Sequence, residues 1–100
     1  MARKRKQANI SGTEAEILEL AKFYFLNSKY DEAITEFEKA LDINPGNPET
    51  FYNLGLIFEN RNRADEARDM YEKALAIDND YKKAREHLNK LIGIKDAENS

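Results

Sequence analysis

The chain contains no cysteine. Disulfides and thiolate metal sites are therefore excluded, and nothing argues for an oxidising compartment. Glycine and proline are sparse, with four and two copies in 100 residues. No apolar run approaches the ~18 residues that a membrane span needs. The basic N-terminus lacks the apolar core of a secretory signal, so cytoplasmic residence is expected and Asn9-Ile10-Ser11 is read as a chance sequon. There is one histidine, His87, flanked at helical spacing by Lys83 and Lys90, which repel a cation. Asp78-Asn79-Asp80 lacks the glycine and the distant glutamate of a calcium loop, so it reads as a turn or helix cap. There is no glycine-rich phosphate loop, and Ser11, Ser28 and Ser100 have no partner base in view. No enzyme, metal or cofactor is expected.

What is present is charge mixed with apolar residues, 35% and 41% of the chain. That balance suits helices with solvated outer faces. The net charge of −3 hides an asymmetry. Setting aside Arg3, Lys4, Arg5 and Lys6 leaves 12 of the 16 basic residues against 19 acidic ones, a net of −7. The body repels nucleic acid, and only the arm could attract it. No aromatic residue is interleaved in that arm to stack on bases, so nucleic-acid contact through the arm is a less favoured alternative to protein binding. Residues 1–12 read as a disordered basic arm and residues 95–100 as a frayed tail.

Between them the sequence repeats at a spacing of 34 residues. Asp31-Glu32-Ala33 recurs as Asp65-Glu66-Ala67, and Glu38-Lys39-Ala40-Leu41 recurs as Glu72-Lys73-Ala74-Leu75. A period of this size means stacked supersecondary units. Thr13 and Glu16 form a capping box that starts a helix running to about Leu26, with Ile17, Leu20, Ala21 and Tyr24 on one face. A second helix, about Tyr30 to Asp42, carries Ala33, Phe37, Ala40 and Leu41. Asn44-Pro45-Gly46-Asn47-Pro48 breaks the chain, with Asn47 as cap and Pro48 at the first position of a third helix. The third helix buries Phe51, Leu54, Gly55 and Phe58, and the fourth Ala67, Tyr71, Ala74 and Leu75. A fifth helix is expected over about Tyr81 to Ile92. Small residues recur in register, Ala21 with Gly55 and Ala33 with Ala67, and let paired helices approach closely.

This pattern resembles the tetratricopeptide repeat (TPR) family. The second unit reads Phe51, Leu54-Gly55, Phe58, Ala67, Tyr71, Ala74; the first reads Ile17, Leu20-Ala21, Tyr24, Ala33, Phe37, Ala40, Pro45. Asn79 replaces the family's proline, and Ile17 replaces an aromatic residue. The resemblance implies an all-α, right-handed α-solenoid of two helix-turn-helix repeats plus a C-terminal capping helix. Repeat one covers 14–47, repeat two 48–81 and the capping helix 81–92, in a domain of 13–94. Arg85 and Asn89 stand where Phe51 and Gly55 stand one unit earlier, which suits a terminal face in contact with water.

The resemblance also implies a concave groove lined by the first helix of each pair. Carried onto this chain, the partner-binding positions are Leu18, Lys22, Phe25, Leu26, Tyr52, Asn53, Leu56, Lys83 and His87. Leu18, Phe25, Leu26, Tyr52 and Leu56 are apolar yet lie off the repeat's packing positions. Two readings stand: they thicken a small core, or they form an apolar groove for a partner. Some relatives clamp the terminal carboxylate of chaperone peptides with two Lys, two Asn and one Arg. Asn53 and Lys83 match that set, while Leu18, Lys22 and His87 replace the rest. The expected function is non-catalytic protein–protein interaction, with a peptide or helix held in the groove. The alternative is a homo-oligomerising assembly module, possible as a homodimer, because arrays of fewer than about three repeats are short of stability.

Overall fold

A computed structural model describes residues 12–93. Among these residues lie five helices and no strand: α1 (Glu14–Leu26), α2 (Tyr30–Ile43), α3 (Pro48–Asn60), α4 (Ala64–Ile77) and α5 (Lys82–Leu91). They form two compact units, one reaching Pro45 and the other starting at Gly46. The expected basic arm, Gly12 apart, and the expected tail lie outside the described residues. No described helix is long and apolar enough to cross a membrane.

In the first unit, the capping box forms as the sequence predicts. Thr13 Oγ1 accepts the Glu16 N–H at 3.1 Å, and Glu16 Oε1 accepts the Thr13 N–H at 3.0 Å. At the other end of α1 the Ser28 N–H donates to the Phe25 carbonyl at 3.0 Å, and the Lys29 N–H to the Tyr24 carbonyl at 2.9 Å. This paired closure places Ser28 in the left-handed region at φ 59°. The chain then reverses into α2. Asn44, just past α2, donates its side-chain amide to both Glu14 carboxylate oxygens at 3.1 and 3.2 Å, joining the end of α2 to the start of α1. Ile17, Leu18, Ala21, Ala33, Phe37 and Ala40 are buried.

The second unit repeats these devices 34 residues later. Asn62 has the same φ of 59° as Ser28. Its N–H donates to the Glu59 carbonyl at 3.0 Å, and the Arg63 N–H to the Phe58 carbonyl at 2.8 Å. Helix α3 starts as expected: Asn47 Oδ1 accepts the Glu49 N–H at 3.0 Å, with Pro48 in the first turn. Ala67, Tyr71, Ala74, Ala84 and Leu88 form one buried cluster of this unit, to which both α4 and α5 contribute small residues.

Gly55 has a role that pairing with Ala67 does not describe. The ring of Tyr71 lies directly against it. A Cβ built on Gly55 would sit 2.7 and 2.8 Å from the Tyr71 Cδ1 and Cζ atoms, closer than real Cβ atoms come. The missing side chain admits a whole aromatic ring.

Three expectations are corrected. Helix α2 runs one residue further, to Ile43. Tyr81 and Ile92 cap α5 and lie outside it. Leu20 was placed on the buried face of α1, but it is 40% exposed, whereas its counterpart Leu54 is 3% exposed. Periodicity marks the apolar side of a helix; whether a neighbour covers that side is a separate matter.

Two substitutions test these devices. Gly55→Leu is expected to destabilise the chain by ~1–3 kcal/mol or more through overpacking against Tyr71. Chemical denaturation monitored by circular dichroism measures it. Ser28→Gly is expected to raise stability by roughly 0.5–1 kcal/mol, because glycine carries no Cβ penalty in the left-handed region. A thermal melt that moves downwards for this variant would contradict the assigned turn.

Candidate functional site

The second unit brings three of the expected partner-binding residues together. Tyr52 of α3 lies one helical turn from Leu56, and Lys83 and His87 lie one turn apart on α5. The Tyr52 ring is 5.6 Å from the His87 ring and 5.6 Å from the Tyr81 ring, edge-on in both cases. It is 5.9 Å from the Tyr71 ring, and Tyr71 is 5.5 Å from His87. The Lys83 ammonium stands 6.0 Å from the centre of the Tyr52 ring, at the outer limit of a cation–π contact. Each such aromatic pair contributes about 0.5–1.5 kcal/mol beyond area burial.

Glu59 of α3 organises the polar side of this cluster. The Tyr71 hydroxyl donates to Glu59 Oε1 at 2.5 Å. The His87 Nδ1 lies 3.0 Å from the same oxygen. An ionised carboxylate only accepts, so His87 Nδ1 carries the proton in this contact. One carboxylate oxygen thereby ties α4 and α5 to α3. Tyr71 is pushed well above the usual phenol range by burial, by its hydrogen bond to Glu59 and by the charge of Glu59. Burial raises Tyr52, with Glu59 and Glu86 adding to it. Burial also raises Tyr81, helped by Glu49, Tyr52 and Asp78. All three rings are neutral phenols at physiological pH. They offer aromatic faces and hydroxyls, not nucleophiles.

The remaining expected residues are placed differently. Asn53 is buried, and among the described residues its Nδ2 has no hydrogen-bond partner. The Thr50 hydroxyl, one turn earlier, is likewise buried without a partner among the described residues. Leu56 is half-buried against the core of the second unit. In the first unit Leu18 is a buried core residue, so it offers little surface to a partner. Lys22 and Phe25 are half-buried, with the Phe25 ring 6.0 Å from Tyr30. Leu26 is 82% exposed. Among the described residues, no group of three or more His, Cys, Asp or Glu side chains could hold a metal ion.

Sequence reasoning assigned Tyr71 to the core and missed what its hydroxyl does. A signal was present. Glu59 and Tyr71 occupy the register positions of Phe25 and Phe37, so an apolar pair in one unit is a polar pair in the next.

The tetratricopeptide repeat model matches residues 13–80, across α1 to α4. The chain belongs to the tetratricopeptide repeat family. Among similar TPR relatives, the peroxisomal targeting signal receptor of Kluyveromyces lactis is 34% identical over 71 residues. That match covers 71% of this chain and 12% of the receptor. Photosystem I assembly protein Ycf3 of Synechococcus sp. (strain WH7803) is 45% identical over 47 residues, covering 47% of this chain and 27% of that protein. The chain thus spans a minor part of the length of these curated relatives. Among solved structures, the first TPR of Spaghetti (RPAP3), bound to the HSP90 peptide SRMEEVD, superposes with a TM-score of 0.76 and 26% identity. It covers 82% of this chain and 65% of that one. MamA superposes with a TM-score of 0.77 at 22% identity, over 84% of this chain and 51% of MamA, which shows the shared fold.

The cluster has a pH signature. With its folded pKa raised above the ordinary value of 10.0, Tyr71 contributes stability that is intact below pH 10 and lost as pH rises beyond it. Tyr71→Phe is expected to lower stability near neutrality by roughly 1.5 kcal/mol. It should also flatten part of the alkaline loss, as read from denaturation midpoints at neutral and alkaline pH. Parallel curves for the two proteins would rule out the bond to Glu59.

Proposed function

We propose that this chain is a non-catalytic protein-interaction module that holds a peptide or helix of a partner protein. The face of α3 and α5 in the second unit carries the contact. The observation that carries this reading is the grouping of Tyr52, Lys83 and His87, from two helices, around one half-exposed aromatic surface with a cation beside it. Tyrosine faces give large contact area at low entropic cost, and Lys83 adds preference for a carboxylate. Lys82, Arg85 and Lys90 make the rest of α5 predominantly basic, with Glu86 as its one acidic residue, which favours an acidic partner segment.

The structure bound to SRMEEVD supports peptide capture as a use of this fold in a similar protein. This chain departs from the carboxylate clamp, with Leu18, Lys22 and His87 at three of its five positions. His87 is already engaged by Glu59. The proposed contact therefore rests on aromatic area with one supporting charge, not on a five-residue clamp.

Selection of displayed peptides against the purified chain tests this reading. Enriched peptides are expected to carry acidic residues beside an apolar anchor. Lys83→Glu, at an exposed position, is expected to weaken them about tenfold, near 1.4 kcal/mol, without loss of helicity. Enrichment of no peptide, or of peptides indifferent to both Lys83→Glu and His87→Ala, would refute the assigned face.

A further inference from the structure

Among the described residues, helix α1 carries an exposed apolar row. Leu20, Phe23 and Leu26 are 40%, 57% and 82% exposed. They follow one another at i, i+3 spacing, so they lie on one ridge of the helix. Leu54 and Ile57, the register counterparts of Leu20 and Phe23, are both buried, at 3% and 0% exposed. The face that α3 covers is thus the face that α1 leaves open. Leu26 goes beyond the repeat. Its counterpart is the exposed polar Asn60, so no packing position of the unit requires leucine there.

We propose that this row is a docking surface for a second copy of the same chain, paired antiparallel about Phe23. Two features select that occupant. The row reads Leu–Phe–Leu at equal spacing, so it is its own complement. A two-fold axis at Phe23 sets Phe23 on Phe23 and Leu20 on Leu26 at both ends, as an isologous interface demands. The charges agree with this direction. Glu16 and Glu19 are exposed in the first half of α1, and Lys29 is exposed three residues beyond Leu26. Antiparallel pairing carries Lys29 of each copy to the level of Glu16 and Glu19 of the other. Parallel pairing stacks like charge on like charge. The row uses none of the α3 and α5 residues proposed above to hold a partner, so either proposal stands or fails without the other.

A three-residue row falls below the ~1,200 Å² of a stable interface, so the dimer is a dissociable one. Sedimentation velocity on the full chain from about 1 µM to about 1 mM brackets such affinities. The mass is expected to rise towards twice that of the monomer and to stop there. Phe23→Asp, at an exposed position, should remain monomeric with unchanged circular dichroism. Lys29→Glu should weaken the dimer several-fold, and adding Glu19→Lys should restore it. Because the chain has no cysteine, single cysteines report the direction. A mixture of Leu20→Cys and Leu26→Cys should cross-link faster than either variant alone. A wild-type monomer throughout, a Phe23→Asp dimer, growth beyond dimer, or faster cross-linking of Leu20→Cys to itself would each overturn the proposal.

Discussion

The absence of one side chain, at Gly55, organises the second unit. With only hydrogen there, the ring of Tyr71 rests on the backbone of α3 where a methyl group would collide with it. That seating carries the hydroxyl to Glu59, and the same carboxylate oxygen receives His87 from α5. Three helices are thereby tied through one oxygen. The aromatic cluster of Tyr52, Tyr71, Tyr81 and His87 inherits its geometry from this contact. Close packing makes the arrangement specific, because a well-packed interior has no slack to absorb an added carbon.

The same helical frame supports two different interiors. In the first unit the positions of Gly55, Glu59 and Tyr71 are Ala21, Phe25 and Phe37. An apolar pair there needs no hydrogen-bond partner. In the second unit the carboxylate is only partly exposed, and it is compensated by a phenol and an imidazole. Repeat families tolerate such exchanges because backbone closures, not the variable side chains, set the unit. Ser28 and Asn62 share one φ value, and Asn44 and Asp78 donate alike to Ala40 and Ala74.

The legibility of the sites differed by kind of residue. Thr13, Glu16, Asn47 and Pro48 announced helix starts because capping is local, satisfied within three residues of chain. Tyr52, Lys83 and His87 stand among nine groove positions that the repeat register suggests, and the register does not say which of the nine meet. Glu59 as the common partner of Tyr71 and His87 was not legible, since it depends on contacts 12 and 28 residues apart. Leu18 and Asn53 were assigned to a partner surface and are buried, while Leu20 was assigned to the interior and is exposed. Those three show the same limit: hydropathy states a side chain's preference, and burial records what its neighbours supply.

By itself, the sequence determined the repeat length, the all-α class, the ends of most helices and the TPR family. These follow from periodicity, caps and small residues acting over a few turns of chain. Only the tertiary structure decided that Tyr71 fills the space above Gly55, that Glu59 joins α4 and α5 to α3, and that the apolar row of α1 is exposed among the described residues. The physical reason is distance. A hydrogen bond, a ring contact or a covered face is made between residues far apart in sequence, and no local pattern specifies which of them meet.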